Sequence, residues 1–285
     1  MYLGSTTLPA SQDRIDQLEG AAPHVTPPRP VTVVAVTQDD PFFTGRFFES
    51  FLAATGGGRV RLLEIVLLRN FNESRLALLK RFQRLYGTVD LTRLLIRYGV
   101  ARLGDLAGRP RGVEALAAKA GVPVRHLASI NDETYLRTLG ERNVDVLLSV
   151  SAPEIFRAGA LHATPHAINI HNGKLPFYRG MMPTFWALLH DEPEVTITVH
   201  TMVEKLDAGM VLAEYRVPIT PADSQFDLSA RAKEIAGREV AQLLNRLETP
   251  DWPVPTSVDM SQKRYFKFPT PADVAQLRAK GKRML

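Results

Sequence analysis

The chain has 285 residues, 45% of them hydrophobic and 23% charged, with no cysteine and a formal net charge of +5. That composition is globular and long enough for one large domain or two small ones, and the missing thiols exclude disulfides, a thiolate nucleophile and cysteine-held zinc or iron–sulfur sites. No apolar run reaches the roughly 18 residues of a bilayer-crossing helix, and the start, MYLGSTTLPASQDR, lacks the basic-then-apolar layout of a secretory signal, so a cytoplasmic protein without a membrane span is expected.

Residues 1–30 include APHVTPPRP, show little periodicity and read as a poorly ordered arm. VTVVAVTQ, residues 31–38, is a short β-branched run of the kind that forms a buried parallel strand, and PFFTGRFFESFLAAT after it reads as a helix. Gly56, Gly57 and Gly58 follow that helix and act as a stop and turn. VRLLEIVLL repeats the strand signal. A long helical stretch from about 73 to 103, interrupted near Gly87, leads to VEALAAKAG, the short strand VRHLA, the helix DETYLRTLGERN and the strand VDVLLSVS. This alternation predicts an α/β protein with a doubly wound, mostly parallel sheet. The first strand–helix junction reads DDPFFTG, not GxGxxG, and no GxxxxGK[ST] occurs, which argues against dinucleotide and phosphate-loop sites. The chemistry is then expected at the carboxyl ends of other strands.

Between Arg69 and Arg111 ten Lys and Arg residues stand against three acids, Glu73, Asp90 and Asp105. Such a surface suits a nucleotide, an RNA or a membrane. Yet Leu76, Leu79, Phe82 and Leu85 fall at helical spacing among Arg75, Lys80, Arg81 and Arg84, which describes a solvated amphipathic helix as well. Without an aromatic-rich RNA-binding motif, nucleic acid is not the expected partner.

In HAINIHNG a strand places Asn169 and His171 on one face and Ile168 and Ile170 on the buried one. Asparagine donates without charge, and histidine can both donate and move a proton. Alone, the pair also reads as a capping Asn and a surface His before the Asn172-Gly173 turn. Downstream comes the loop LPFYRG and a helix with Phe185, Trp186, Leu188 and Leu189. A strand follows in which Thr196, Thr198 and His200 alternate with apolar residues. It ends in KLDAG, whose Asp207 can orient an imidazole or accept a proton through water. His162 and His166 are spaced like a helical metal pair, but Pro165 interrupts that turn, and no metal site is expected.

The string NIHNGKLPFYRG with Asn169 and His171, followed by LDAG with Asp207, resembles the folate-dependent formyltransferase superfamily. Its members include glycinamide ribonucleotide transformylase, the catalytic domain of methionyl-tRNA formyltransferase and the nucleotide-sugar N-formyltransferases. The likeness is strong over 144–219 and looser back to Val31. It implies a Rossmann-like catalytic domain over 31–225, with a small C-terminal helix and tail, 226–285, packed on it. It also implies transfer of a formyl group from 10-formyltetrahydrofolate, the donor co-substrate, to an amine. Asn169 and His171 would hold the tetrahedral oxyanion, and Asp207 would set the state of His171 and relay a proton.

Carried over from the family, the folate pocket falls on Leu148, Ser149, Val150, Ser151, Ala152, Ile155 and Phe156, with Val203 and Lys205; for Leu148 and Val150 core packing is the readier explanation. HNG departs from the Pro and Ser that many members carry after the histidine. Asn172, Gly173, Lys174, Tyr178, Arg179 and Gly180 are therefore expected to shape a different acceptor site. The stretch after KLDAG is short for the β-barrel of methionyl-tRNA formyltransferase, and RYFKFPT, with Tyr265, Phe266 and Phe268, is similar to tails of sugar-modifying members. The expected acceptor is a small-molecule primary amine, such as an amino sugar on a nucleotide. A 10-formyltetrahydrofolate hydrolase, a methionyl-tRNA formyltransferase-like activity on RNA, and a non-catalytic RNA- or membrane-associated relative are the alternatives. The oligomeric state stays open, a homodimer included.

Overall fold

The computed structural model describes residues 29–38, 40, 42–68 and 75–285. Residues 1–28 of the expected arm, and Arg69 and Glu73 of the basic stretch, lie outside the described residues. In chain order the elements are β1 (Val31–Gln38), α1 (Thr44–Thr55), β2 (Val60–Leu68), α2 (Arg75–Leu106), α3 (Val113–Ala120), β3 (Val124–Leu127), α4 (Glu133–Glu141), β4 (Val146–Val150), α5 (Ala158–Leu161) and β5 (His166–His171). After these come β6 (Arg179–Gly180), α6 (Pro183–Leu189), β7 (Glu194–Thr201), β8 (Val211–Pro218), α7 (Gln225–Leu244), β9 (Tyr265–Phe266) and α8 (Pro271–Ala279).

Seven strands form one sheet in the order β3-β2-β1-β4-β5-β7-β8, and β6 pairs separately with β9. The first five are parallel, and β7 and β8 join antiparallel. The doubly wound α/β architecture expected from the alternation is the one found. The antiparallel pair has a simple cause: the turn from β7 to β8 is too short for the crossover that a parallel neighbour needs.

The strands read as unbroken apolar runs because helices cover both faces. Along β1, Val33 and Ala35 enter the core built with Phe47, Phe48 and Phe51 of α1 and with Leu228, Ala236 and Val240 of α7. Val34 and Val36 enter the opposite core, with Tyr135 and Leu139 of α4. Capping boxes start α7 (Ser224 and Asp227) and α8 (Thr270 and Asp273). Gly87, at φ 74°, breaks α2 where the sequence placed an interruption. No helix among the described residues is long and apolar enough to cross a membrane.

Arg29 is tied to the fold, pairing with Asp145 at 2.7 Å and Glu248 at 3.0 Å. Helix α7 lies against α1 through Gly237, where a Cβ would stand 2.3 Å from the Phe47 carbonyl oxygen. That oxygen is backbone and cannot swing aside. Gly237→Ala is therefore expected to cost about 2–3 kcal/mol by overpacking, read as a lower urea midpoint with an unchanged slope.

Because β1 runs one way to β2 and β3 while the chain returns to β4 on its other side, the order reverses between β1 and β4. In open α/β sheets the crevice at the carboxyl ends near such a reversal is where ligands bind. Ser151 and His171 leave the sheet at that end.

Candidate active site

The register of β5 fixes the first contact. Its antiparallel pairing with β7 sets Asn169 opposite His200 and His171 opposite Thr198. Asn169 Nδ2 lies 3.1 Å from His200 Nε2, and His200 Nδ1 lies 2.8 Å from the Thr201 carbonyl oxygen. A carbonyl only accepts, so Nδ1 carries the proton and Nε2 accepts from the Asn169 amide. Burial, reinforced by the nearby His171, pushes the His200 pKa down to about 4, against weaker upward pulls from Thr201 and Asp207. The ring is neutral, as the hydrogen bonds require. The second N–H of Asn169 is left for another acceptor.

His171 is buried at the end of β5. Its Nε2 lies 2.5 Å from the Tyr178 carbonyl oxygen and donates to it, which turns Nδ1 toward Asp207, 3.8 Å away at Oδ1. Asp207 Oδ1 is also 3.9 Å from His200 Nε2, and its Oδ2 accepts from the Gly180 backbone N–H at 3.0 Å. Asn169, His171 and Asp207 thus converge at one end of the sheet. The gaps between Asp207 and the two imidazoles exceed direct hydrogen bonds, so a bridging proton carrier is needed to couple them.

Local sequence explains this geometry. Asp207 adopts φ 48°, a left-handed conformation that Asp tolerates better than most residues. Two residues on, a Cβ at Gly209 would stand 1.6 Å from the Thr201 carbonyl oxygen, so the turn can fold back on β7 only with glycine there. The D-x-G pattern is the covalent form of that turn.

Most of the expected acceptor loop holds the site instead of lining open space. A Cβ on Gly173 would meet the Tyr178 oxygen at 2.6 Å and His171 Nε2 at 2.9 Å. Tyr178 and Gly180 hold His171 and Asp207 through the backbone, and the buried Arg179 guanidinium donates to the Leu206 carbonyl. Lys174 is exposed, and the Asn172 side-chain oxygen is buried without a partner.

The expected folate residues divide. Leu148 and Val150 are fully buried in the core under α1 and α7, and Phe156 belongs to the opposite core. Ser149 is buried as well. A parallel strand covered on both faces cannot offer these side chains to a ligand, so for Leu148 and Val150 core packing holds. Ser151 accepts from Lys233 Nζ at 2.7 Å. Ala152 is half-buried, while Ile155, Val203 and Lys205 are exposed. Val203 also lines a cavity of about 490 Å³ with Met202, Ile168, His166 and Trp252.

Two residues of the site escaped the sequence reading. His200 carried a signal, being a polar residue of alternating β7, but its pairing with Asn169 depends on register. Lys233 falls on the buried stripe of α7 with Phe226, Ala230 and Gly237, and its burial lowers the amine pKa to about 8.

Residues 110–244 match the family model for formyl transferase. Over this stretch, a little under half of the chain, the sequence is similar to the formyl transferase family. The match ends at the last residue of α7 and takes in Asn169, His171, His200 and Asp207. Glycinamide ribonucleotide transformylase 1 from Symbiobacterium toebii has the same fold with a TM-score of 0.54 and 18% identity, over 81% of this chain and 95% of its own. Phosphoribosylglycinamide formyltransferase from Anaplasma phagocytophilum gives 0.53 and 17%, over 84% and 99%. An N-formyltransferase from Helicobacter canadensis, solved with folinic acid and dTDP-3-aminofucose, gives 0.50 and 15%, over 84% and 71%. The family resemblance carried by NIHNGKLPFYRG and LDAG is borne out, and with it an enzyme of the formyl-transferring class.

Proposed function

We propose that this protein moves a formyl group from 10-formyltetrahydrofolate to the primary amine of a small-molecule acceptor, an amino sugar linked to a nucleotide fitting best. The observation that carries this reading is the convergence of Asn169, His171 and Asp207 at the carboxyl end of β5. The acceptor nitrogen attacks the formyl carbon, a C–N bond forms, and the formyl oxygen becomes an oxyanion. The free Nδ2–H of Asn169 donates to it, as does Nδ1–H of His171 when that ring is protonated. The intermediate collapses by breaking the bond to N10 of the folate, and the proton lost by the amine ends on N10. Asp207, which faces His171 Nδ1 across 3.8 Å, passes the amine's proton through the gap between them. One oxyanion donor supplies about 10²- to 10³-fold in rate and a placed acid–base about 10²- to 10⁴-fold.

The exposed Ile155 and Val203, with Ala152, give apolar surface for a flat donor beside the site, and the backbone of 149–152 and 203–207 offers polar groups to its edge. The amino-sugar choice is supported by the Helicobacter canadensis protein, whose structure holds folinic acid and dTDP-3-aminofucose. Residues 31–225 form the catalytic unit in this reading, and 226–285 complete it.

Incubation with 10-formyltetrahydrofolate and a panel of amines, nucleotide-linked amino sugars among them, should yield tetrahydrofolate and a formylated amine by mass spectrometry. Formate release that no amine alters would replace the transferase reading with a hydrolase.

A further inference from the structure

We propose that the C-terminal tail strand β9, acting through Phe266, is a positioning element that sets the geometry of His171 and Asp207. The roles of those two residues rest on the function proposed above, but the positioning itself rests on the loop 176–181.

This loop is a turn over 175–178 that runs into the two-residue strand β6, and it presents two edges. On its inner edge the Tyr178 carbonyl accepts from His171 Nε2 at 2.5 Å and the Gly180 N–H donates to Asp207 Oδ2 at 3.0 Å. On its outer edge the Arg179 N–H donates to the Arg264 carbonyl at 3.3 Å, the Met181 N–H to the Phe266 carbonyl at 2.8 Å, and Arg264 N–H to the Pro176 carbonyl at 3.0 Å. The inward hydrogen bonds come from residues 178 and 180, and the outward ones from 176, 179 and 181. Each inward hydrogen bond therefore sits between two outward ones. Among the described residues β6 pairs with β9, Arg179 opposite Tyr265 and Gly180 opposite Phe266.

Side chains lock the same register. The Phe266 ring stacks on Tyr178 at 5.5 Å and 15°, and on Trp186 at 4.9 Å and 28°. Tyr178 is held at its far end by a 2.6 Å hydrogen bond to Glu192. Gly180 lies at φ 95°, and a Cβ there would come 2.2 Å from the Phe266 carbonyl oxygen. The glycine of LPFYRG thus meets the demand of the tail as well as of the loop. Without the stack, the loop can slide along the tail, and a shift of about 1 Å at the Tyr178 carbonyl takes it out of reach of the imidazole. Misplacement of that size costs on the order of 10²-fold in rate.

The test compares Phe266→Ala, Phe266→Leu and Phe266→Tyr with wild type in the full chain. The low-field imidazole N–H resonance of His171, assigned by its loss in His171→Gln, should be sharp in wild type and Phe266→Tyr. It should broaden or vanish in Phe266→Leu and Phe266→Ala, at unchanged far-UV circular dichroism. In the transfer assay kcat should fall about 10²-fold in the same two variants with KM for the folate donor within about twofold, and the tyrosine variant should restore it. If Phe266→Ala does not fold, Phe266→Leu carries the comparison, because it keeps apolar volume and loses the stack. A folded leucine variant with wild-type kcat and an unaltered His171 resonance would overturn the proposal. The resonance needs no substrate: its loss in an enzyme with no transferase activity would support the positioning while rejecting the function.

Discussion

Replacing His171 with alanine is expected to lower kcat by at least about 10²-fold while leaving the affinity for a folate analogue within about threefold. Nε2 of this ring is committed to the Tyr178 carbonyl, so the only face it can offer to chemistry is Nδ1, which looks toward Asp207. Alanine removes an oxyanion donor and a proton carrier together, and it takes from the Tyr178 carbonyl its imidazole donor. Asn169→Ala removes one neutral donor and also strips His200 Nε2 of its hydrogen bond, with a loss of about 10²- to 10³-fold expected. The double variant should lose less than the product of the two, because donors to one oxyanion act as a unit. Steady-state kinetics with calorimetry of a folate analogue checks this. If both single variants fall within about threefold of wild-type kcat, Asn169 and His171 are not the oxyanion donors.

Those two residues were legible because a strand turns a spacing of two into a shared face, and the neighbouring Ile168 and Ile170 identify the other face as core. Asp207 was legible through its turn: LDAG names both the residue that accepts left-handed backbone and the glycine that lets the turn close. What stayed hidden depends on distances along the chain that no local pattern records. His200 meets Asn169 only through the antiparallel register of β5 and β7. Lys233 reaches Ser151 from a helix 82 residues away. Strand β9 is two residues long, below any periodicity, and the groups it positions at Tyr178 and Gly180 are backbone atoms with no side-chain signature.

The basic stretch divides at Gly87 into a helix whose Leu85, Leu91 and Leu94 are buried, while Arg97 lies over the Phe226 ring at 4.9 Å. Some of its charge therefore packs on the fold. The folate walls placed on Leu148 and Val150 met the opposite difficulty: an apolar strand reads the same whether it lines a pocket or fills a core, and the helix layers on both faces decide for the core.

Below neutral pH a large effect on stability is expected from His200. Its ordinary value is 6.5, and burial, with the neighbouring His171, holds it near 4 in the folded protein. The unfolded chain therefore takes up a proton below about 6.5 that the native ring refuses until about 4, and stability is lost as the pH falls through that window. At about 1.4 kcal/mol per pH unit, the full window is worth roughly 3 kcal/mol. His166 and His190 are also lowered by burial and pull in the same direction, so the contribution must be isolated by substitution. His200→Gln presents an amide oxygen to Asn169 and does not titrate. At pH 7 the variant should be the less stable protein, because it gives up the packed ring, and urea midpoints should show that deficit shrinking by about 2–3 kcal/mol by pH 4.5. Parallel stability curves for the two proteins would mean that His200 is not held neutral. Protonation would also turn Nε2 into a donor and expel the Asn169 N–H from its partner, so the oxyanion donor and the fold are set by one buried tautomer.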